Sequence, residues 1–243
     1  MAEGPLSDAT RELLRGISTA TLTSQLMARG LRNTFMQNVH RLTTGGPSMV
    51  GEAFTLRYIP SREDIDVSSV FEDPEHPQRK AVETVPPGHV LVIDCRQDKR
   101  AAGAGSILVT RMMVRGAAGV VTDGGLRDSP VIEQLDFPVY CAGRAAPTNL
   151  TRHHATDINV PIGCGEVPVY PGDVIVGDRE GVVVIPRHLA DEVARDGYEQ
   201  TLMEDFVTER VKAGDVIFGL YPPNETALTR FREWKRGRTL ARG

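Results

Sequence analysis

Apolar residues recur in short runs along the middle of the chain, and small or polar residues between the runs mark turns. From residue 88 onward these runs predict a strand, a helix, a strand, a helix and a strand, in that order. Their predicted bounds are 90–95, 103–115, 119–122, 128–135 and 138–141. This alternation is typical of a partly parallel sheet with covering helices, so the predicted fold class is α/β.

Shorter elements flank this run on both sides. Two N-terminal helices are predicted: the first begins at a cap formed by Ser7 and Asp8 and ends at Gly16, and the second spans Thr19–Ala28. A strand is expected at 50–59. Four more strands, expected at 158–162, 167–170, 174–176 and 181–185, would form a compact β layer. A helix should follow from 189 to about 211, with Gly197 as the point where it could break.

Two stretches carry no clear period. Residues 61–78, here called the excursion, are polar and contain several aspartates and prolines, and they predict a surface loop. The C-terminal stretch 226–243 is basic and contains the only tryptophan, Trp234. Such a stretch is either solvated or packed on a neighbouring subunit.

Composition narrows the class of protein. The 243 residues carry 28 Lys and Arg against 32 Asp and Glu, a formal net charge of -4, which argues against nucleic acid as the main partner. No apolar stretch is long enough to cross a membrane, and the N-terminus has no export signal. The three cysteines, Cys95, Cys141 and Cys164, form no CxxC pair, which favours buried thiols in a reducing cytoplasm.

The most informative segment is 118–128, which reads Ala-Gly-Val-Val-Thr-Asp-Gly-Gly-Leu-Arg-Asp. A predicted strand runs into two glycines, and Arg127 and Asp128 then precede a helix. Ligands of open α/β sheets bind beyond the carboxyl ends of the strands. There an arginine can grip a carboxylate and an aspartate can bind a hard divalent cation. The structural alternative is that Asp128 only caps the helix and that Arg127 forms a surface ion pair.

A second anion-binding position is expected at the start of the preceding helix. The segment 101–108 places small residues where unpaired N–H groups and the helix dipole favour negative charge. It also follows a strand, so it should open on the same edge of the sheet. Two such positions suit the carboxylate and carbonyl of a 2-oxo acid. The segment lacks the GxGxxG spacing of a dinucleotide-binding loop.

Four segments together resemble the RraA-like family, which includes class II pyruvate aldolases acting on 4-hydroxy-4-methyl-2-oxoglutarate and 4-carboxy-4-hydroxy-2-oxoadipate as well as the regulator of ribonuclease E activity. These segments are 119–128, 137–140, 171–178 and 180–186. The resemblance implies an αββα core with N-terminal helices and a C-terminal helical arm. It further implies one domain, with its core at about 17–189 and a helical extension at about 190–243, assembled as a homotrimer or hexamer with sites at subunit interfaces.

The resemblance also assigns roles to residues. Asp128 would ligate Mg²⁺ or Mn²⁺ alongside waters, and Arg127 would contact the pyruvate carbonyl and stabilise the enolate. The backbone around Gly105, Ser106, Ile107 and Leu108 would hold the carboxylate. In the family's aldolases a glutamate usually stands where this chain has Ser106. Those aldolases also draw an acidic residue from a neighbour's C-terminal region, for which the candidates here are Glu199, Glu204 and Asp205.

Three hypotheses follow. The first is a metal-dependent lyase that cleaves a 4-hydroxy-2-oxo acid by a retro-aldol reaction, releases pyruvate and also decarboxylates oxaloacetate. A water molecule would accept the proton of the 4-hydroxyl, because the motif contains no histidine. The second is a regulator that binds a ribonuclease without chemistry of its own. The third is a decarboxylase or dehydratase acting on a 2-keto-3-deoxy sugar acid, which Ser106 keeps open.

Overall fold

The computed structural model describes residues 4–240, and for residues 238–240 it describes the backbone only. The first and last three residues of the chain lie outside the described part. The helices are α1 (Asp8–Arg15), α2 (Thr19–Ala28), α3 (Pro77–Thr84), α4 (Ser106–Val114), α5 (Ser129–Ile132), α6 (Ala190–Lys212) and α7 (Glu225–Leu240). The strands are β1 (His40–Arg41), β2 (Met49–Pro60), β3 (His89–Asp94), β4 (Ala102–Ala104), β5 (Gly119–Thr122), β6 (Gly125–Leu126), β7 (Val139–Cys141), β8 (Gly143–Arg144), β9 (His153–Ile158), β10 (Ile162–Cys164), β11 (Val167–Val169), β12 (Val174–Gly177) and β13 (Val182–Ile185).

One mixed sheet forms the centre of the protein. Its strand order is β1-β7-β5-β3-β2-β12-β13, and β9 pairs with the far end of β2. The pairs β2–β3, β3–β5 and β5–β7 are parallel, whereas β1, β9, β12 and β13 join antiparallel. With helices at both ends of the chain, this arrangement confirms the α/β prediction and the partly parallel sheet.

Strand β3 shows why the sheet is covered on both faces. Leu91 and Ile93 join a cluster that also takes side chains from α3, α4 and α5. Val90 and Val92 point the other way, into a cluster closed by the β10–β11 hairpin. All four side chains are buried. A parallel strand buried on both faces is expected to be a continuous apolar run, as this one is.

Three of the four parallel strands, β3, β5 and β7, are followed by the same arrangement of the chain at one edge of the sheet. The chain passes through a loop into one strand of a second, small parallel sheet, whose order is β4-β6-β8. It then enters α4 after β4, α5 after β6 and a single 3-10 turn, Asn149–Thr151, after β8. This repetition brings three helix starts to one edge of the sheet.

The N-terminal helices form where they are predicted. The Ser7 side chain accepts a hydrogen bond from the Thr10 N–H and caps α1, which ends at Gly16. Helix α2 has the predicted bounds and is capped in the same way by Ser18. Helix α6 runs through Gly197 without a break. A side chain at Gly197 would meet Ile17 at 3.1 Å, so this glycine permits close packing of the helix rather than interrupting it.

Other boundaries differ from the prediction. The strand expected at 158–162 is wrong, because β9 ends at Ile158, Asn159 takes a left-handed conformation (φ 56°) and β10 begins only at Ile162. The helix expected from Gly103 begins at Ser106, since 102–104 form β4. The helix expected at 128–135 is confined to Ser129–Ile132. The excursion contains a 3-10 turn and the start of α3.

The C-terminal arm folds back on its own chain. The rings of Phe206 on α6 and of Phe231 and Trp234 on α7 lie 5.8–6.0 Å apart. The described part of the basic tail is therefore packed rather than simply solvated. Within residues 4–240, no helix has both the length and the apolar character needed to cross a bilayer. All three cysteines are free and buried, as expected.

Candidate active site

A cavity of about 260 Å³ opens at the edge where the three helix starts meet. Its volume is near the lower end of the roughly 300–1,000 Å³ typical of ligand sites, so it suits a small metabolite. The lining residues come from four parts of the chain: Phe71, Gln78, Arg79, Ala102, Ala104, Gly105, Ile107, Leu108, Arg127, Asp128, Thr148 and Asn149. The two anion-binding positions expected from the sequence therefore lie together in one cavity.

Asp128 is placed by an unusual backbone conformation. It precedes α5 with φ 56° and ψ 30°, in the left-handed region, and its side chain does not cap that helix. Instead Oδ2 accepts hydrogen bonds from the Ser106 N–H at 3.2 Å and the Ser106 hydroxyl at 3.3 Å. The carboxylate thus reaches across to the first turn of α4. Simple capping of the following helix, the structural alternative for Asp128, does not occur.

Arg127 lies beside this carboxylate. Its Nε is 3.6 Å from Asp128 Oδ2, and the two side chains are 46% and 39% exposed. The Arg127 N–H donates to the Ala104 carbonyl, which ties the loop to β4. Gly105 is in contact with both side chains: a Cβ at that position would lie 2.8 Å from Asp128 Oδ2 and 2.9 Å from Arg127 Cγ. Only a glycine leaves room for the pair in this position.

The start of α4 supplies the expected helix N-terminus, but not with every predicted residue. Gly105, Ile107 and Leu108 line the cavity, whereas Ser106 does not. The Ser106 N–H already donates to Asp128, so the first-turn amides left for an anion are those of Ile107 and Leu108. Ser106 therefore supports Asp128 in this structure rather than facing the cavity.

A buried carboxylate, Asp123, joins the loops that follow β3 and β5. Asp123 is 3% exposed and accepts hydrogen bonds from the N–H groups of Cys95, Gln97 and Gly165. Burial raises the pKa of Asp123 to about 6, and the nearby carboxylate of Asp94 adds to the effect. Asp123 joins the ends of β3 and β5 to the β10–β11 hairpin, which makes it a structural residue.

Five cavity residues were not anticipated from the sequence: Phe71, Gln78, Arg79, Thr148 and Asn149. Three of them come from the excursion and the first turn of α3, a stretch whose polar composition predicted only a loop. The usable signal was Pro77, because proline is favoured in the first turn of a helix. A helix starting there would have placed Gln78 and Arg79 at one more helix start on the same edge.

The acidic residues of the C-terminal arm have partners within the chain. Glu204 accepts from the Thr21 hydroxyl at 3.0 Å and from Gln200, and Glu199 pairs with Lys235 at 2.6 Å. A contribution of Glu199, Glu204 or Asp205 to a neighbour's site stays a prediction.

A divalent cation would have one protein ligand here. Among residues 4–240, no group of three or more His, Cys, Asp or Glu side chains is arranged to hold a metal. Asp128 Oδ2 is occupied by Ser106, but no donor among the described residues bonds to Oδ1. A single carboxylate oxygen beside an open cavity fits Mg²⁺, which keeps several waters and takes few protein ligands.

Comparison with known proteins shows which family the chain belongs to. The sequence profile of the RraA-like family, described as Aldolase/RraA, matches residues 6–184 and so includes every cavity residue. The chain belongs to the RraA-like family. A Halalkalibacterium halodurans member that carries the provisional name 4-hydroxy-4-methyl-2-oxoglutarate aldolase is 37% identical over 138 residues. That match covers 57% of this chain and 65% of the relative, just under two thirds of its length.

Solved structures of the RraA-like fold superpose on most of the chain. Streptomyces coelicolor RraAS2, described as an unusual member of the RNase ES inhibitor RraA protein family, has a TM-score of 0.73 and 28% identity. The match covers 84% of this chain and 98% of that one. An uncharacterized protein from Pseudomonas syringae has a TM-score of 0.80, 23% identity and coverage of 92% and 98%, a likeness that shows the fold alone.

Proposed function

We propose that this RraA-like protein is a divalent-metal-dependent lyase that cleaves a 4-hydroxy-2-oxo acid and releases pyruvate. The observation that carries the proposal is the contact between Arg127, Asp128 and the start of α4 within one cavity. It combines a cation, a carboxylate with one free oxygen and a helix N-terminus. The provisional name of the Halalkalibacterium relative, an aldolase for 4-hydroxy-4-methyl-2-oxoglutarate, supports the substrate class.

The chain's own groups bind the 2-oxo acid end of the substrate. The N–H groups of Ile107 and Leu108 hold the substrate carboxylate at the positive end of α4. Arg127 donates to the 2-oxo oxygen, where negative charge develops as the reaction proceeds. A donor placed in advance at such an oxygen commonly accounts for the largest share of the rate enhancement.

The reaction then breaks one carbon–carbon bond. Water in the cavity accepts the proton of the 4-hydroxyl, since the described lining contains no histidine. The C3–C4 bond breaks, C4 becomes a carbonyl carbon, and the bonding electrons form the enolate of pyruvate. Protonation at C3 gives pyruvate. Oxaloacetate would lose CO₂ to give the same enolate, which explains why we expect its decarboxylation as a second activity.

Asp128 is the residue that would hold Mg²⁺ or Mn²⁺. When bound, the metal supplies a Lewis acid that stabilises negative charge at the 2-oxo oxygen. Ser106 keeps the carboxylate in place through Oδ2 and leaves Oδ1 for the cation.

We further propose that the protein acts in the cytoplasm as a homotrimer or hexamer. Three exposed apolar side chains on α4 and α5 support an interface on these helices, because Ile107, Val114 and Val131 are 81%, 70% and 56% exposed. Light scattering of the purified protein measures the assembly directly.

An assay of pyruvate release tests the lyase. With Mg²⁺, the protein should release pyruvate from 4-hydroxy-4-methyl-2-oxoglutarate and from oxaloacetate, and a chelator should stop both reactions. Asp128→Asn should abolish release. Arg127→Lys should lower kcat about 10²- to 10³-fold, because the lysine ammonium does not reproduce the position of the guanidinium donor at the 2-oxo oxygen. Asp64→Asn is the matched control, since Asp64 is exposed and, among the residues whose side chains are described, pairs with Arg62 alone. Full activity in both site variants would overturn the proposal.

A second candidate function is inhibition of a ribonuclease, favoured by the likeness to Streptomyces RraAS2. It predicts that the protein slows RNA cleavage by an RNase E-type enzyme. Inhibition that persists in Asp128→Asn, with no pyruvate released by the wild-type protein, would favour this candidate. A 2-keto-3-deoxy sugar acid belongs in the same substrate panel, because its decarboxylation or dehydration is the third hypothesis.

A further inference from the structure

The cavity has a second cationic residue that the proposed chemistry does not use. Arg79, on the first turn of α3, lines the cavity together with Arg127 and Asp128. The charged residues of the lining are thus two arginines and one aspartate, a net charge of one positive. A 2-oxo acid with a single carboxylate is matched by Arg127 and the start of α4 alone.

Arg79 is held in position without being neutralised. Its guanidinium carbon lies 4.3 Å from the centre of the Phe71 ring, well within the range of a cation–π contact. Among the residues whose side chains are described, no carboxylate lies within 4.0 Å of its nitrogens. Arg127, by contrast, faces Asp128 at 3.6 Å. The aromatic ring fixes the plane of the Arg79 guanidinium and leaves its donors for a ligand.

Two buried amides among the lining residues each have one atom without a partner. Gln78 is 3% exposed, and its Nε2 donates to the Gly103 carbonyl at 2.8 Å, which fixes the orientation of the amide. Its Oε1 then has no donor. Asn149 is 4% exposed, and its Nδ2 has no acceptor. Both unpaired atoms are themselves shielded from the cavity, so a ligand reaches neither without a side-chain movement, and Arg79 is the group left to bind it.

We propose that Arg79 is a specificity-determining residue that binds a second carboxylate at the far end of the substrate. This assigns Arg79 to the second carboxylate of 4-hydroxy-4-methyl-2-oxoglutarate, the compound in the name of the Halalkalibacterium relative. This inference rests on the proposed function, because the 2-oxo acid end must occupy Arg127 and the start of α4.

Two inert ligands test Arg79 separately from catalysis. 2-Oxoglutarate and 2-oxopentanoate have the same length and the same 2-oxo acid end, but one ends in a carboxylate and the other in a methyl group. Neither has a 4-hydroxyl, so neither undergoes the proposed cleavage. Calorimetry with Mg²⁺ present gives the Kd of each. The wild-type protein should bind 2-oxoglutarate about 10- to 100-fold more tightly, the range expected for a charged hydrogen-bonded contact.

The variants should then change the ratio of the two Kd values. Arg79→Gln should bring the ratio close to one by weakening 2-oxoglutarate alone. Phe71→Leu should reduce the ratio about 2- to 5-fold, because Arg79 loses its aromatic support. Asn149→Asp should also lower the ratio, since it adds a negative charge to the lining of the cavity that holds the second carboxylate. Arg62→Gln is the matched control: Arg62 lies in the excursion, is 68% exposed and is not part of the cavity.

The outcomes separate this inference from the proposed function. A wild-type ratio near one, or equal weakening of both ligands in Arg79→Gln, overturns the role of Arg79 and leaves the lyase standing. If neither ligand binds the wild-type protein, the proposed function fails and the role of Arg79 fails with it. Thermal melting of each variant shows whether the fold is intact, and Arg79→Lys gives a second test that keeps the charge but loses the planar fork.

Discussion

Two walls of the same cavity are built on different principles. The first, here called the motif wall, consists of Gly105, Ile107, Leu108, Arg127 and Asp128. The second, the excursion wall, consists of Phe71, Gln78 and Arg79. In the motif wall the charged groups restrain one another: Ser106 holds Asp128, Asp128 faces Arg127, and Gly105 lets them meet. In the excursion wall a cation and an amide oxygen have no polar partner of their own among the described residues.

The difference indicates a division of work between the walls. Groups that must stabilise a developing charge are most effective when their geometry is fixed before the substrate arrives, which requires partners within the protein. Groups that recognise one substrate among several discriminate best when the ligand itself supplies their missing hydrogen-bond partner. A wrong ligand then leaves these groups buried and unpaired. On this argument the motif wall sets the rate and the excursion wall sets the choice of substrate.

Among changes that keep both charged side chains of the motif wall, the most damaging should be Gly105→Ala. The added methyl group would lie 2.8 Å from Asp128 Oδ2 and 2.9 Å from Arg127 Cγ, so one of the two must move. A displacement of about 1 Å in an active site can cost about 10²-fold in rate. We expect a loss of that size in kcat for pyruvate release, with the preference for 2-oxoglutarate over 2-oxopentanoate retained.

The control for this variant is Gly163→Ala. No atom lies within 4 Å of a side chain added at Gly163, so the substitution should leave kcat unchanged. Normal turnover in Gly105→Ala would mean that the contact around Asp128 does not matter for the reaction.

The residues of the motif wall could be predicted from the sequence and those of the excursion wall could not, for a physical reason. Arg127 and Asp128 follow a buried strand and two glycines, and the start of α4 also follows a strand, so topology alone places them on one edge. Arg79 reaches the cavity because α3 packs on the sheet through Ala81 and Val82, and its partner Phe71 belongs to the excursion, which docks through Asp66 on His154 of β9. Contacts between residues so far apart in sequence depend on tertiary packing, which local composition does not encode. The same limit hid β9, whose side chains alternate weakly between buried and exposed.

Substitution of Asp123, which belongs to neither wall, should lower the stability of the fold without altering the selectivity between the two ligands. In Asp123→Asn, an amide NH₂ would replace one oxygen that now accepts backbone N–H groups of Cys95, Gln97 or Gly165. A buried donor left facing a donor costs about 1–3 kcal/mol, so the free energy of unfolding should fall by that amount. Denaturant unfolding measures it, and the ratio of the two ligand Kd values should not change.

The same variant makes a prediction about pH. The pKa of Asp123 is raised in the native state from 3.8 to about 6, so between these values the native protein binds the proton more tightly than the unfolded chain. The contribution of Asp123 to stability is therefore lost as the pH rises toward 6, by about 2 kcal/mol between pH 4.5 and 7. Asp123→Asn should accordingly lower the free energy of unfolding, relative to the wild-type protein, by more at pH 4.5 than at pH 7. A deficit that is the same at both would contradict the raised pKa.

The smallest expected effect concerns the attachment of the excursion wall. Asp66 Oδ1 bonds to His154 Nδ1 at 2.7 Å, and its Oδ2 accepts from the Arg62 N–H at 2.7 Å. Asp66→Ala removes both contacts and should let the excursion open for part of the time. Since an apparent affinity falls with the fraction of competent protein, the preference for 2-oxoglutarate should drop about 2- to 5-fold.

Hydrogen exchange shows whether this loss arises from opening of the excursion. Amides of residues 62–72 should exchange faster in Asp66→Ala, while those of α4 keep their protection. Asp64→Ala is the matched control, because Asp64 lies two residues away, is 67% exposed and pairs only with Arg62 at the surface. If Asp66→Ala lowered kcat for pyruvate release as strongly as it lowered selectivity, the two walls would be coupled, and the division between rate and choice would be wrong.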